Sequence, residues 1–408
     1  MNKTTISACI CATLGVWVSG FVLQGAPVKI SERFGFDPTN STRFIQQALD
    51  SGLPEIVLDD KGMPWITEPL KGRSNQTLYF EDGVTLLALK GAYLSTGHQV
   101  LCYNCVSNIA VVGLGRRGGT IRMHKSDYQK WPYKRSEWRH TIMVWGVSGF
   151  RIENMLLAES GGDGIELYGP CRNGVICRVV CDGHHRNALS VCSARGLLIE
   201  DCAFTNTKGT GPGGGVDFEP DRGDHAISDI VMRNYRIEGN EGNGIDVYSG
   251  AVDARIEPFS VTIENCVSAC NLNAVRIGGG IGRSKTTTWP QGRVTFTNCT
   301  FTGSRNYAIR IDEKPKEAFA LEFIGCKSYG NAGGDENVDV LFRSAANPGW
   351  KPGGITFKDF TTQKESRWCR SWAAWVTTQN PTPKDLPDIK GKVNVITADG
   401  KPTVSVEM

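Results

Sequence analysis

The sequence predicts an all-β fold, a single-stranded right-handed parallel β-helix: a solenoid of ~9–11 coils with a short N-terminal capping helix. Three observations lead there. Six related strings recur at intervals of 24, 27, 29, 30 and 34 residues. A second strand-like run precedes each of them. Glycine is in excess, with 48 of 408 residues, about 12% against a usual ~7%.

The strings are DGIELY from Asp163, NALSVC from Asn187, GGVDFE from Gly214, NGIDVY from Asn243, NAVRIG from Asn273 and YAIRID from Tyr307. The runs before them are FRIENMLL, VICRVVC, LLIEDCAF, IVMRNYRI, VTIENCVS and VTFTNCTF. Two or three short β runs per repeat, with Gly, Asn and Asp between them, describe one coil. Position three of the strings holds Ile165, Leu189, Val216, Ile245, Val275 and Ile309, and position five holds Leu167, Val191, Phe218, Val247, Ile277 and Ile311. All are apolar. Alternation turns them inward and positions four and six outward. Coils stacked ~4.8 Å apart then align equal positions in rows along the axis.

Residues 1–26 carry Lys3, an apolar run from Ile6 to Leu23 and a small-residue end at Gly25-Ala26, the pattern of a cleaved export signal; a single membrane anchor is the alternative. No later stretch is long and apolar enough to span a bilayer. Residues 27–60 form an N-terminal cap, in which Thr39, Asn40 or Ser41 starts a helix with Phe44, Ile45 and Ala48 on its apolar face. Coils follow over 61–365. Residues 366–408 lose the repeat, carry Trp368, Trp372 and Trp375, and read as the C-terminal cap. The whole of 27–408 is therefore one elongated domain.

Glycines at Gly161-Gly162, Gly213 to Gly215 and Gly278 to Gly280 are expected at corners with positive φ. Of 14 cysteines, Cys9 and Cys11 belong to the export segment. Cys102 and Cys105 form a CxxC without the second pair that a zinc ribbon needs. Cys202, Cys266, Cys299 and Cys326 share one position of the second run with Met155, Val179 and Tyr235. They form either a buried stack of small side chains or, at Cys266 and Cys299, a disulfide between coils. A formal charge of +3 with no block of like charge excludes nucleic-acid binding by phosphate neutralisation.

Position four reads Glu166, Ser190, Asp217, Asp246, Arg276, Arg310, and position six reads Tyr168, Cys192, Glu219, Tyr248, Gly278, Asp312. Acids occupy one run of coils and arginines the next. Asp217 and Glu219 point the same way ~7 Å apart, and Asp246 lies one coil from Asp217 at ~4.8 Å. Crowded carboxylates raise at least one pKa and keep a proton near neutrality. Two carboxyls on a shallow exposed face suit glycosidic hydrolysis, one as acid and one activating water or attacking the sugar. The arginines suit a uronate or sulfate. The bland alternative is a solvated face of ladder salt bridges. His184, His185 and Arg186 sit at the corner before the Asn187 string. Residues 127–140, DYQKWPYKRSEWRH, interleave Trp131, Tyr133 and Trp138 with Lys134, Arg135 and Arg139. They form either a sugar platform or a loop packed on the barrel.

FGFDPTNSTRFIQQALDSG resembles the opening segment of pectate-lyase-like proteins, and GDGIEL, HHRNALSV and NGIDVY resemble coil strings of right-handed parallel β-helix proteins. The resemblance covers about residues 30–360. Polygalacturonases of this superfamily carry NTD, DD, GHG and RIK on successive coils. Here Asp163 in GGDG stands where the first would fall, and Arg276 in VRIG is distantly similar to the last. DD and GHG are absent, and DFEP at 217–220 matches neither, which sets the chain apart from polygalacturonases proper. Pectate lyases place Ca²⁺-binding acids ahead of Lys and Arg. Glu166, Asp217, Asp246, Arg276 and Arg310 follow a similar order without the lysine.

The first expectation is an exported, periplasmic or extracellular glycoside hydrolase that uses no cofactor and acts on a neutral or anionic polysaccharide or oligosaccharide. Its catalytic residues are Asp217 and Glu219, supported by Asp246 and Glu166. Its substrate-binding residues are Asp163, His184, His185, Arg186, Arg276, Arg310, Tyr248, Trp131 and Trp138. The resemblance implies a second reading, a Ca²⁺-assisted polysaccharide lyase or uronate epimerase, with Glu166, Asp217 and Asp246 as metal ligands and Arg276 or Arg310 as base. A third is a non-catalytic glycan-binding β-helix.

Overall fold

The computed structural model describes residues 26–279, 288–335, 337–344, 353–363, 373–377, 388–396 and 402–407. The segment expected as an export signal, up to residue 25, the expected corner at Gly280, and Trp368 and Trp372 lie outside the described residues. Strands dominate, and every sheet pairing but the last is parallel. Eleven strands, one per coil, form a continuous sheet along one side of the solenoid. The fold is the expected parallel β-helix.

The six strings are consecutive strands of that sheet. Their register runs Ile165 to Leu189, Val216, Ile245, Val275 and Ile309, as the alternation requires. The apolar residues at positions three and five are all buried in the coil interior. The strand Ile142–Trp145 adds a further copy before Ile165–Tyr168, pairing Ile142 with Ile165.

The second run of each coil aligns Met155, Val179, Cys202, Tyr235, Cys266, Cys299 and Cys326 in a buried column. The four cysteines are free thiols, so the column is the stack of small side chains rather than a disulfide. The residues just before it turn the corner in the left-handed region: Asn154, Arg178, Asp201, Asn234, Asn265 and Asn298 have φ between 53° and 56°. Asn and Asp tolerate this conformation because a short polar side chain can bond locally.

The glycines need a correction. Gly213 has φ of 65° as expected, but Gly161, Gly162, Gly214, Gly215, Gly278 and Gly279 are not in the left-handed region. Close approach is the better reason for them. A Cβ on Gly162 would stand 2.4 Å from the Glu137 carbonyl oxygen, and one on Gly215 would stand 2.3 Å from Ile237.

The capping helix spans Thr42–Asp50 and buries Ile45, Ala48 and Leu49, with Phe44 half-buried. Asn40 Oδ1 accepts the Thr42 N–H at 3.0 Å. Gln46 exchanges hydrogen bonds with the backbone of Lys71, covering the edge of the first coil where unpaired strand groups would otherwise face water. At the far end parallel pairing runs past residue 365: Ala373–Thr377 pairs with Val340–Ser344, and Asp388–Ile396 pairs with Gly353–Gln363. The antiparallel strand Pro402–Glu407 then lies on the last of these. The segment expected as a cap thus holds further coil strands first. No helix among the described residues is long and apolar enough to cross a membrane.

Phe323 stacks between its register partners Phe296, at 4.9 Å and 14°, and Phe357, at 5.1 Å and 12°. Phe323→Ala is expected to destabilise the chain by about 3–5 kcal/mol in denaturant unfolding, the usual cost of deleting a buried aromatic side chain. An unchanged midpoint would refute that role for the column.

Candidate functional site

Position one of the strings builds the site's back wall. His140, Asp163 and Asn187 stand there on successive coils, and each side chain accepts the backbone N–H of its successor. Asp163 N–H donates to His140 Nδ1 at 2.9 Å, Asn187 N–H to Asp163 Oδ1 at 2.8 Å, and Gly214 N–H to Asn187 Oδ1 at 3.1 Å. Sequence reading missed His140. Its string, HTIMVW, begins 23 residues before Asp163 and alternates Ile142 with Val144, which is the signal that identifies it.

Position four aligns Glu166, Ser190, Asp217, Asp246, Arg276 and Arg310 in the predicted order. The row lies outside the coil but is not a shallow exposed face. Asp217 is 2% exposed and Asp246 3%, because Glu137 from the 127–140 insertion and Gly211-Pro212 from a corner close over them. Between this roof and the sheet lies a cavity of about 380 Å³, lined by Glu137, Arg186, Asp217, Glu219, Asp246, Tyr248 and Arg276. Asp217 and Glu219, two apart in sequence, meet there as expected.

The arginines are engaged by the protein itself. Arg186 bridges Asp163 Oδ2 at 3.2 Å and Glu219 Oε2 at 3.0 Å. Arg276 bridges Asp246 Oδ2 at 3.1 Å and Asp312 Oδ2 at 3.0 Å, with its guanidinium 5.8 Å from the Tyr248 ring. Arg310 also binds Asp312, at 2.9 Å, and is not in the cavity lining. Asp312, which the sequence reading placed in row six without assigning it a role, is the acid that joins the two arginines.

Among the described residues Asp217 has no ion pair; it accepts one hydrogen bond from Asn187 Nδ2 at 3.2 Å. Burial, then the charges of Asp246 and Glu219, push its pKa well above the usual carboxylate range and favour its protonated form. Burial also raises Asp246, against Arg276 and the Asn243 amide bonded to it at 2.8 Å. Burial opposes the charged form of Glu166 too, but His140, with Nε2 at 2.7 Å, outweighs it and lowers the pKa.

His140, Asp163 and Glu166 place ligand atoms within 4.8 Å of one another. Their donors are already committed: Nδ1 accepts a backbone N–H, and the Asp163 oxygens accept Asn187 N–H and Arg186. His140 Nε2 and Glu166 Oε2 face each other at 2.7 Å. Glu166, Asp217 and Asp246, the Ca²⁺ set implied by resemblance, form no such cluster among the described residues. Glu166 faces His140 instead.

Other expected substrate contacts fall elsewhere. Asp163 is wholly buried behind Arg186 and positions that side chain. His184 is also wholly buried, its Nδ1 2.8 Å from Ser160 Oγ, and does not reach the cavity. His185 is buried and likewise lines no part of it. Trp131 is 93% exposed and outside the lining. Trp138, 54% exposed, borders a second cavity of about 250 Å³ with Thr96, Arg135, Ser136, Glu137 and Thr210. Glu137 belongs to both cavities.

Residues 116–312 match a family model described as a right handed beta helix region. No curated protein matches the chain in sequence. The fold is similar to the A-module of mannuronan C-5 epimerase AlgE4 of Azotobacter vinelandii, at 13% identity over 89% of this chain and 99% of that one, with a TM-score of 0.60. It is similar to PfbA, a surface adhesin of Streptococcus pneumoniae, at 11% identity over 91% and 89%, TM-score 0.63. It is also similar to the polygalacturonase of Erwinia carotovora ssp. carotovora, at 15% identity over 87% and 94%, TM-score 0.57. These are likenesses of architecture.

Burial lowers the pKa of His184 from 6.5 to about 3. Between those values the unfolded chain binds a proton that the folded chain refuses, so stability falls as pH drops through that window and levels off below it. His184→Gln is expected to show a shallower loss of melting temperature between pH 7 and 4 than the parent. Equal slopes would refute a neutral buried His184.

Proposed function

We propose that the chain is an exported hydrolase that cleaves glycosidic bonds of a polysaccharide, with Asp217 as general acid and Glu219 as the base that activates water. One observation carries the reading: two carboxyls, Asp217 on the strand Gly214–Phe218 and Glu219 directly after it, open into one cavity with opposite surroundings. Asp217 is buried, unpaired and pushed towards its protonated form. Glu219 is bridged by Arg186, and its side chain keeps 27% exposure, so water reaches it. Extended backbone sets Cβ atoms two residues apart at ~7 Å, compatible with the ~6.5–9.5 Å between carboxyls that leaves room for that water.

In the reaction the Asp217 proton passes to the glycosidic oxygen as the bond to the anomeric carbon breaks. Glu219 takes a proton from the water whose oxygen bonds that carbon. Asp246 sets the acid: its charge, one coil away, is the leading electrostatic cause of the raised Asp217 pKa. Tyr248 and Arg276 shape the wall on the same side as Asp246.

A lyase or epimerase with an arginine base is less well supported. Arg276, despite its burial, is held protonated by Asp246 and Asp312, and a guanidinium in that state takes up no proton. A purely adhesive surface has no need of a buried carboxyl that keeps its proton. Polygalacturonase and epimerase are named among the structures of similar fold, which agrees with a polysaccharide substrate.

Asp217→Asn is expected to lower kcat by about 10²–10⁴, the usual contribution of a general acid, with circular dichroism unchanged. Reducing-end release on a polysaccharide panel measures it, and full activity would place the acid elsewhere. Because Asp217 acts protonated, activity falls as pH rises through its pKa. Asp246→Asn removes a negative neighbour, lowers that pKa, and is expected to move the alkaline limb of the kcat profile to lower pH. A limb that stays or moves upward would refute this role. Release of unsaturated uronates, abolished by EDTA, would replace hydrolysis with the lyase reading.

A further inference from the structure

The charges that face the cavity do not match those of an acidic glycan. Its lining holds four acids, Glu137, Asp217, Glu219 and Asp246, and two bases, Arg186 and Arg276. Each arginine is bridged twice, once to a lining acid and once to a carboxylate behind the wall. Arg186 reaches back to the wholly buried Asp163, and Arg276 reaches to the buried Asp312. A ligand carboxylate would have to share either arginine with two acids that already neutralise it, so it gains less there than from a cation the protein leaves uncompensated.

Glu137 differs. It is half-buried, it makes no ion pair among the described residues, and it stands where the two cavities adjoin. Arg186 senses its charge but bonds Asp163 and Glu219. Arg135, which lines only the second cavity, is exposed, where solvent and salt weaken its field. The charge left uncompensated towards a bound sugar is therefore negative, and Glu137 carries it beside the Asp217 and Glu219 pair.

We propose that this cavity selects a glycan bearing free amino groups over one bearing carboxylates, and that Glu137 is the specificity-determining residue, receiving a sugar ammonium next to the point of cleavage. The inference deepens the hydrolase reading of the same cavity and rests on it. A hydroxyl-rich neutral sugar meets no repulsion there but gains no ion pair, so it ranks between the two.

Binding separates this from the catalytic reading. Asp217→Asn keeps the neutral charge of the protonated acid and blocks turnover, so it serves as the background for calorimetry. The probes are a glucosamine oligomer, its N-acetylated counterpart and a galacturonate oligomer of equal length. The glucosamine oligomer is expected to bind about tenfold or more tightly than the galacturonate one at low salt, with the gap narrowing as salt rises. Adding Glu137→Gln should bring the glucosamine and N-acetylated oligomers together, and Glu137→Lys should reverse the order against galacturonate. Equal or tighter galacturonate binding by the Glu137 protein, or no binding of any probe, overturns the proposal, as does an unchanged preference in Glu137→Gln. Reducing-end release by the parent chain on each polymer judges the hydrolase reading separately. Cleavage of polygalacturonate with tight galacturonate binding would leave hydrolysis standing and end the selectivity proposed.

Discussion

Parallel pairing from coil to coil, at a register repeated without slip across the described coils from Leu101 to Phe342, is the constraint on which everything else in this molecule depends. Side chains alternate with period two, so a slip of one residue would exchange interior and exterior on a whole strand. The buried apolar rows resist that slip from inside. The position-one side chains resist it from the corner, since His140, Asp163 and Asn187 each accept a specific N–H on the next coil. Register thus makes residues far apart in sequence into neighbours in a row, and Asp217 and Asp246 become such neighbours across 29 positions.

A row of like charges would be costly in isolation. The structure offsets it by setting arginines between acids: Arg186 joins Asp163 to Glu219, and Arg276 joins Asp246 to Asp312. Asp217 stands in the gap between these two bridges. Among the described residues it receives one amide hydrogen bond and no ion pair, and burial and the adjacent carboxylates favour its protonated form. The ladder of compensation is left incomplete at this one acid.

The coil register was legible in the strings because period-two alternation is local and repeats: Ile165, Leu189, Val216, Ile245, Val275 and Ile309 could be aligned by eye. The order of the acid and arginine rows followed from the same alignment. The roof was not legible, since Glu137 and Pro212 come from segments that do not repeat, and burial of Asp217 depends on where those segments fold back. His184 and His185 looked available because corners are usually exposed, yet the turn of the preceding coil sets Ser160 Oγ against His184 and the Gly162 carbonyl against the His185 N–H. His140 was overlooked because its string does not open with the Gly, Asn or Asp that opens five of the six others. The glycines were attributed to dihedral freedom when many answer to crowding, a distinction that needs three-dimensional neighbours.

Floor and roof of the cavity differ in how freely they can change. Asp217 and Asp246 are carried on strands paired with the next coil, and Glu219 directly follows the first of them, so a substitution there is felt along the axis. Glu137 is carried on an insertion that reaches the cavity without taking part in the ladder. The floor that carries Asp217 and Asp246 and the roof that carries Glu137 are therefore separable inheritances. Descendants of this chain can exchange the 127–140 segment while the ladder beneath it stays intact.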